Sequence, residues 1–322
     1  MMRLGIAGAG AFGTALAVAL ARSGPRLVLW ARDPAQAAAM KDSRRNARHL
    51  AEVEIPETVT ITADFALIAQ CDAVLLAMPM QALGDFLDDH AARLDGRALV
   101  SCAKGIDLRR RAGAGALIAA ACPASAAAVL TGPSFAADIA RGLPTALTLA
   151  CADETMGEAL QHRLATPVLR LYRSPDVVGA ELGGALKNVI AIAAGIVIGA
   201  RLGESARAAL MTRGYAEMTR FATRLGARPE TLAGLSGFGD LVLTCASTQS
   251  RNFRYGEALG RGAGFDPAVT VEGVATARAV AAMAETLAVD MPIAAMVAAV
   301  IERRVTVAQA VEALLSRPLK QE

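Results

Sequence analysis

Residues 3–24 read RLGIAGAGAFGTALAVALARSG, and this stretch decides the fold. The apolar run Arg3–Ala7 predicts a strand, and Ala11–Ser23 predicts a helix closed by Ser-Gly-Pro at 23–25. Between them stands Gly8-Ala9-Gly10-Ala11-Phe12-Gly13, the G-x-G-x-x-G spacing of a dinucleotide-binding turn. Gly8 permits the tight turn, Gly10 lets backbone approach a pyrophosphate, and Gly13 brings helix and strand together. The helix N-terminus then faces the phosphates. The motif alone is common, and its place between a strand and a helix makes it specific.

Working outward, the next strand, Arg26–Trp30, ends in Ala31-Arg32-Asp33-Pro34. An acid here would bind a ribose 2′-hydroxyl, whereas an arginine would accept a 2′-phosphate. Asp33 before Pro34 reads as a helix cap with proline at the first helical position. Arg32 is therefore left to read the ribose, so NADP(H) is the expected cofactor, with NAD(H) possible.

Further strands are predicted at Asp72–Ala77, Ala98–Cys102, Ala127–Leu130, Thr145–Ala150 and Val168–Tyr172, with helices at Gln81–Ala92 and Arg111–Cys122. After Ser174-Pro175 the pattern becomes helical, and Pro229, Pro267, Pro292 and Pro318 read as breaks between helices. The expected fold class is α/β. A Rossmann-type, doubly wound, mostly parallel sheet over residues 1–175 precedes an all-helical substrate and catalytic domain over 176–322. A chain of 322 residues accommodates both.

Composition narrows the function. A formal charge of +3 without a dense basic block gives no support to nucleic-acid binding, and suits small anionic substrates. Five scattered cysteines and three histidines (His49, His90, His162) show no metal-ligand spacing, so no metal is expected. The uncharged stretch Ala112–Ala137 contains Pro123 and Pro133 and is rich in alanine, so it reads as core rather than a membrane span. The first strand begins too early for a signal peptide.

Carbonyl reduction needs a proton donor beside the hydride. No histidine sits in a site motif. Lys187, in GGALKNV, is the candidate: it borders the uncharged run Asn188–Ala200, at the edge of a buried helix. Burial and a second cation would lower its pKa; taken alone, it reads more readily as a lysine snorkelling from a helix end. Lys104, in Ala-Lys-Gly after a strand, lies where open α/β sheets bind ligands. Gly132 and Ser134, in TGPSFA, end another strand, with Ser134 at a helix start. Asp240 follows a glycine loop in GFGDL and reads also as a plain helix cap. Ser250, Arg251 and Asn252 precede a helix and suit a phosphate. Glu272, in Val-Glu-Gly, offers a carboxylate.

Together the segments GAGAFGTALA, CAKGID, TGPSFA, LGGALKNVIAIAAG, GFGDLVLTC, QSRN and VEG span the whole chain. In order and spacing it resembles the bacterial NAD(P)-dependent glycerol-3-phosphate dehydrogenases. The resemblance implies reversible reduction of dihydroxyacetone phosphate to sn-glycerol 3-phosphate, feeding phospholipid synthesis. It implies Lys187 as general acid/base, with Lys104, Gly132, Ser134, Asp240, Ser250, Arg251 and Asn252 around the substrate. Ala11, Phe12, Arg32, Lys104, Ala136, Arg251 and Glu272 would touch the cofactor, with Thr270 more loosely. His49 stands where relatives often carry an aromatic residue, and Ala11 where many carry serine. A cytoplasmic homodimer is expected. The rivals are a hydroxy-acid or ketopantoate-type dehydrogenase, which has no need of QSRN, and a non-catalytic NADP(H) sensor, which has no need of Lys104, Lys187 and Asp240.

Overall fold

The computed structural model describes residues 2–24 and 26–316; Pro25 and Pro318, two of the breaks read above, lie outside them. The described residues form ten strands: β1 Leu4–Ala7, β2 Leu27–Trp30, β3 Arg45–Asn46, β4 Leu50–Glu54, β5 Val59–Thr62, β6 Ala73–Leu76, β7 Ala98–Ser101, β8 Ala126–Thr131, β9 Thr145–Cys151 and β10 Leu169–Ser174. β3 and β4 pair as a small antiparallel hairpin; the other eight form one sheet in the order β10-β9-β8-β7-β6-β1-β2-β5. Its pairings are parallel except for β8 with β9.

From β1 the chain winds one way through β2 to β5, and from β6 the other way through β7 and β8. The order therefore reverses between β1 and β6, where open sheets form their ligand crevice. Both neighbours are continuously apolar and buried, as a sheet covered on two faces requires.

Boundaries shift for local reasons. The first helix ends at Ala21, before the expected Ser23, and Gly24 follows in a left-handed conformation. The expected Arg111–Cys122 helix starts at Ala114, because Arg111 has φ +51° and Gly113 is the extended cap. Strand β5, the hairpin, and the helices Pro34–Ser43, Phe65–Ala69, Ala136–Arg141 and Glu154–Leu164 were not expected from periodicity.

The second half is built around one helix, Val177–Gly199. It is apolar on all sides and long enough to cross a membrane, yet it is buried, surrounded by helices Glu204–Arg224, Asp240–Ala246, Arg251–Gly260, Glu272–Leu287 and Pro292–Ile301. Asp176 caps it: Oδ1 accepts from Gly179 N–H at 2.8 Å and Oδ2 from Arg228 N–H at 2.8 Å. Glu217 caps the Pro292–Ile301 helix, accepting from Ile293 and Ala294 N–H at 2.8 and 3.2 Å. All five cysteines are buried thiols.

Backbones meet where the central helix crosses Arg251–Gly260. A Cβ on Gly256 would stand 2.0 Å from the Ile192 carbonyl oxygen, an atom that cannot rotate away. In an exposed helix, Gly→Ala stabilises by up to about 1 kcal/mol. Here Gly256→Ala is expected to do the opposite, costing about 1–3 kcal/mol through overpacking. Urea unfolding checks the sign; a raised midpoint would show that the crossing has slack.

Candidate functional site

Three charged side chains from distant parts of the chain converge beyond the carboxyl ends of the sheet. Lys104 sits in the loop after β7, Lys187 on the central helix, and Asp240 at the start of helix Asp240–Ala246. Asp240 is 1% exposed and lies between the two lysines. Lys104 Nζ donates to Asp240 Oδ2 at 2.7 Å and to the Gly132 carbonyl at 2.8 Å. Lys187 Nζ is 3.0 Å from Asp240 Oδ1 and donates to Thr244 Oγ1 at 2.7 Å. Thr244, one helical turn after Asp240, passes its own hydroxyl hydrogen to Asp240 Oδ1 at 3.1 Å.

Two ammonium groups and one carboxylate leave the cluster with one net positive charge. Burial pushes the Lys187 pKa down, to about 8, with Lys104 adding to the shift and Asp240 opposing it. Burial alone would raise Asp240, but the two lysines outweigh it and hold the carboxyl below its usual range. An ammonium with three donors, two of them engaged, can present its third N–H to an incoming oxygen. With a pKa of about 8 it can both give and take that proton near neutral pH.

Sequence reading misplaces two of these residues. Lys187 is at the middle of a 23-residue helix, not its edge, and only 6% exposed, so it does not snorkel. Asp240 follows no loop: Leu235–Gly239 is a single π-helical turn running straight into the Asp240 helix, so Asp240 is not a cap. Thr244 and Asn188 were missed. Asn188 Nδ2 reaches the Lys104 carbonyl at 3.4 Å, and its Oδ1 accepts from Asn252 Nδ2 at 2.8 Å. Their signals were the i, i+4 spacing from Asp240 and adjacency to Lys187.

The rest of the expected substrate shell lies close by. Ser134 Oγ donates to the Gly132 carbonyl at 3.2 Å; the helix beyond starts at Ala136, so Ser134 precedes it rather than opening it. Ser250 is the N-cap of Arg251–Gly260, its Oγ accepting from Phe253 N–H at 3.2 Å. Arg251, the first residue of that helix, is exposed. Asn252 is buried and accepts from Gly273 N–H at 2.9 Å, so its amide binds helices together. Buried Thr131 Oγ1 has no partner among the described residues.

The glycine turn has the shape a dinucleotide requires. Gly8 has φ +120°, and a Cβ there would stand 2.4 Å from the Ala77 carbonyl; one on Gly13 would stand 2.0 Å from the Gly8 carbonyl. A Cβ on Gly10 would instead meet nothing within 4 Å, which is the open space a pyrophosphate needs. Ala11 and Phe12 begin the helix, with no side chain capping its amides. Arg32 is exposed past β2, while Asp33 Oδ1 accepts from Ala35 N–H at 2.9 Å as a helix cap. His49 is on the hairpin, its pKa lowered by partial burial and then by Arg48 and Arg251. Glu272 Oε1 accepts from Met80 N–H at 3.3 Å, and burial raises its pKa. Thr270 is exposed before that helix, and Ala136 starts the short helix after β8.

A dinucleotide turn opposite a buried, titratable lysine cluster is the arrangement of a two-domain dehydrogenase with a helical second half. Residues 3–157 match the family model described as NAD-dependent glycerol-3-phosphate dehydrogenase N-terminus, and residues 176–312 match its C-terminus. The chain is 67% identical over 319 residues to a glycerol-3-phosphate dehydrogenase [NAD(P)+] of Cereibacter sphaeroides, covering 99% of this chain and 100% of that one. One from Paracoccus denitrificans is 60% identical over 321 residues, covering 100% of both chains. The crystal structure of the Coxiella burnetii glycerol-3-phosphate dehydrogenase superposes with a TM-score of 0.93 at 35% identity, covering 98% of this chain and 99% of that one. This chain belongs to the NAD-dependent glycerol-3-phosphate dehydrogenase family and is an NAD(P)-dependent oxidoreductase. A ketopantoate reductase from Ralstonia eutropha, at 17% identity and a TM-score of 0.64, shares the fold alone.

Removing Asp240 leaves two ammonium groups facing each other. Asp240→Asn is expected to cost about 3–5 kcal/mol where both are charged. Asp240 raises the Lys187 pKa, so the variant's value falls below about 8. The loss should therefore be greatest below the variant's lowered value and shrink as pH rises from there to about 8, above which Lys187 is neutral in both proteins. Urea unfolding at several pH values tests this; a loss that does not vary with pH would remove Lys187 from the coupling.

Proposed function

We propose that the chain reduces dihydroxyacetone phosphate to sn-glycerol 3-phosphate, reversibly, with Lys187 as general acid/base. The observation that carries the reading is the buried Lys104–Asp240–Lys187 cluster in a chain of this family. The bound nicotinamide supplies the hydride to C2. As the carbonyl pair withdraws to oxygen, Lys187 Nζ gives that oxygen its proton, so C2–H and O–H bonds form and neutral Lys187 remains. Lys104, held by Asp240 and the Gly132 carbonyl, stabilises the developing alkoxide. Gly132, Ser134 and Asp240 orient the hydroxymethyl end, and Ser250, Arg251 and Asn252 with the helix amides hold the phosphate. Oxidation of glycerol 3-phosphate reverses each transfer.

The reading divides the chain near residue 175 into cofactor and substrate halves. It places Gly8, Gly10, Ala11, Phe12, Gly13, Arg32, His49, Lys104, Ala136, Arg251, Thr270 and Glu272 along the dinucleotide. NADPH is preferred because Arg32 stands at the ribose while Asp33 is engaged as a cap. The enzyme works as a cytoplasmic homodimer supplying glycerophospholipid synthesis.

NADPH oxidation is expected with dihydroxyacetone phosphate and nearly none with unphosphorylated dihydroxyacetone, because remote binding energy lowers the barrier at the reacting carbon. Equal rates on the two ketones would overturn the substrate assignment. In the same assay Lys187→Met, which keeps the apolar stem, should lower kcat by about 10²–10⁴-fold. Wild-type reduction should decline as pH rises through about 8, where Lys187 loses its proton. A variant with normal kcat and altered KM would make Lys187 a substrate ligand instead.

Arg32→Asp tests the cofactor preference. A charge-assisted contact to phosphate contributes about 1.5–3 kcal/mol. The NADPH/NADH ratio of kcat/KM should therefore fall at least about tenfold. An unchanged ratio would make Arg32 an ordinary surface residue.

A further inference from the structure

The carbonyl of Ala9, inside the glycine turn, accepts from two side-chain amides on separate elements. Gln36 Nε2, on helix Pro34–Ser43, donates at 3.0 Å, and Asn46 Nδ2, on β3, also at 3.0 Å. Asn46 Nδ2 donates as well to Thr14 Oγ1 at 2.8 Å, in the helix that follows the turn. Asn46 is 1% exposed, and its Oδ1 has no hydrogen-bond partner among the described residues.

The orientation of that amide follows from its neighbours. A carbonyl oxygen only accepts, so the NH₂ group must face Ala9, and Oδ1 is the atom left unpaired. A buried acceptor without a partner destabilises a fold, and an apolar side chain of the same size would avoid the cost. What the position gains from asparagine is the donor.

That donor matters because of peptide geometry. In a trans peptide the Ala9 C=O and the Gly10 N–H point in opposite directions. Holding the oxygen toward Gln36 and Asn46 directs the Gly10 N–H the other way, at the N-cap of the helix, where there is open space beside the Gly10 Cα. Were this peptide to flip, its oxygen would point into the space meant for an anion, and glycine at position 10 puts little steric resistance in the way.

We propose that Gln36 and Asn46 are positioning residues for the dinucleotide, clamping the Ala9–Gly10 peptide in the orientation that binds pyrophosphate. They act through the backbone and need not touch the cofactor. The clamp also ties together the parts expected along it. Gln36 stands on the helix capped by Asp33, next to Arg32, and the Asn46 carbonyl accepts from His49 N–H at 3.1 Å. The inference rests on the glycine turn being the cofactor site.

The test uses the whole enzyme with Gln36→Leu, Asn46→Leu and the double substitution. Leucine fills similar space and cannot donate; at position 46 it also removes the unpaired acceptor. Titrations of NADPH and NADH, followed by nicotinamide fluorescence, should give a Kd raised about tenfold in each single variant and further in the double. The KM for dihydroxyacetone phosphate and kcat at saturating cofactor should stay within about twofold, since the Lys187 cluster is untouched. Thermal midpoints should hold or rise in Asn46→Leu, which separates positioning from a structural role. Gln36 is partly exposed on its helix, so its variant carries the test if Asn46→Leu does not fold. Unchanged Kd values in the single and double variants, or a loss of binding that only tracks a lowered midpoint, would overturn the proposal. Wild-type protein that bound neither nucleotide would overturn the cofactor site itself, a different outcome.

Discussion

A carboxylate at the centre of a protein is tolerated only if ions and donors replace the water it has lost. Asp240 meets that demand with Lys104 from the sheet half, Lys187 from the central helix and Thr244 from its own helix. The arrangement of the two halves depends on this pairing, because removing Asp240 leaves two ammonium groups without a counter-ion, and removing Lys104 takes away the ion pair that joins the sheet half to the helical half. The same desolvation that makes the cluster costly lowers the Lys187 pKa to about 8. Stability and the titration of Lys187 are here one electrostatic balance.

Small residues make that balance possible. The central helix carries Lys187 at its middle because it is enclosed on every side, and enclosure needs neighbours that approach closely. Gly184 faces the hydroxyl of Thr131 at the end of β8, where a Cβ would stand 2.5 Å from the oxygen. Gly183 is similarly close to the backbone of Ser236. A bulkier face would hold the helix away from the sheet and separate Lys187 from the Lys104 loop. The low aromatic content of the chain, 4%, fits this architecture of backbone-to-backbone contact.

How much was legible in the sequence depended on range. Strands β1, β2, β6 and β7 were readable because burial on both faces writes continuous apolar runs, and the glycine turn was readable because each glycine answers a local steric need. The polar hairpin at β3 and β4 has one buried residue per strand and carries no periodic signal. The site residues were found as motifs, but their relations were not. That Asp240 lies between two lysines, that Lys187 is central in its helix, and that Asn46 reaches back to Ala9 are facts of tertiary packing. The π-helical turn before Asp240 illustrates the limit: Gly234, Gly237 and Gly239 suggest a loop, and only the packing of that segment against the central helix makes it helical.

Lys104 and Asp240 are 136 residues apart in the chain. At ordinary rates of synthesis, about 5–20 residues per second, the sheet half leaves the ribosome on the order of 10 s before its counter-ion exists. During that interval the nascent chain holds the glycine turn and the Lys104 loop, with neither Asp240 nor Lys187. The distribution of the cluster along the gene thus works as an interlock. A half-made or truncated product lacks Asp240 and Lys187, so the cluster forms only once the second half is present.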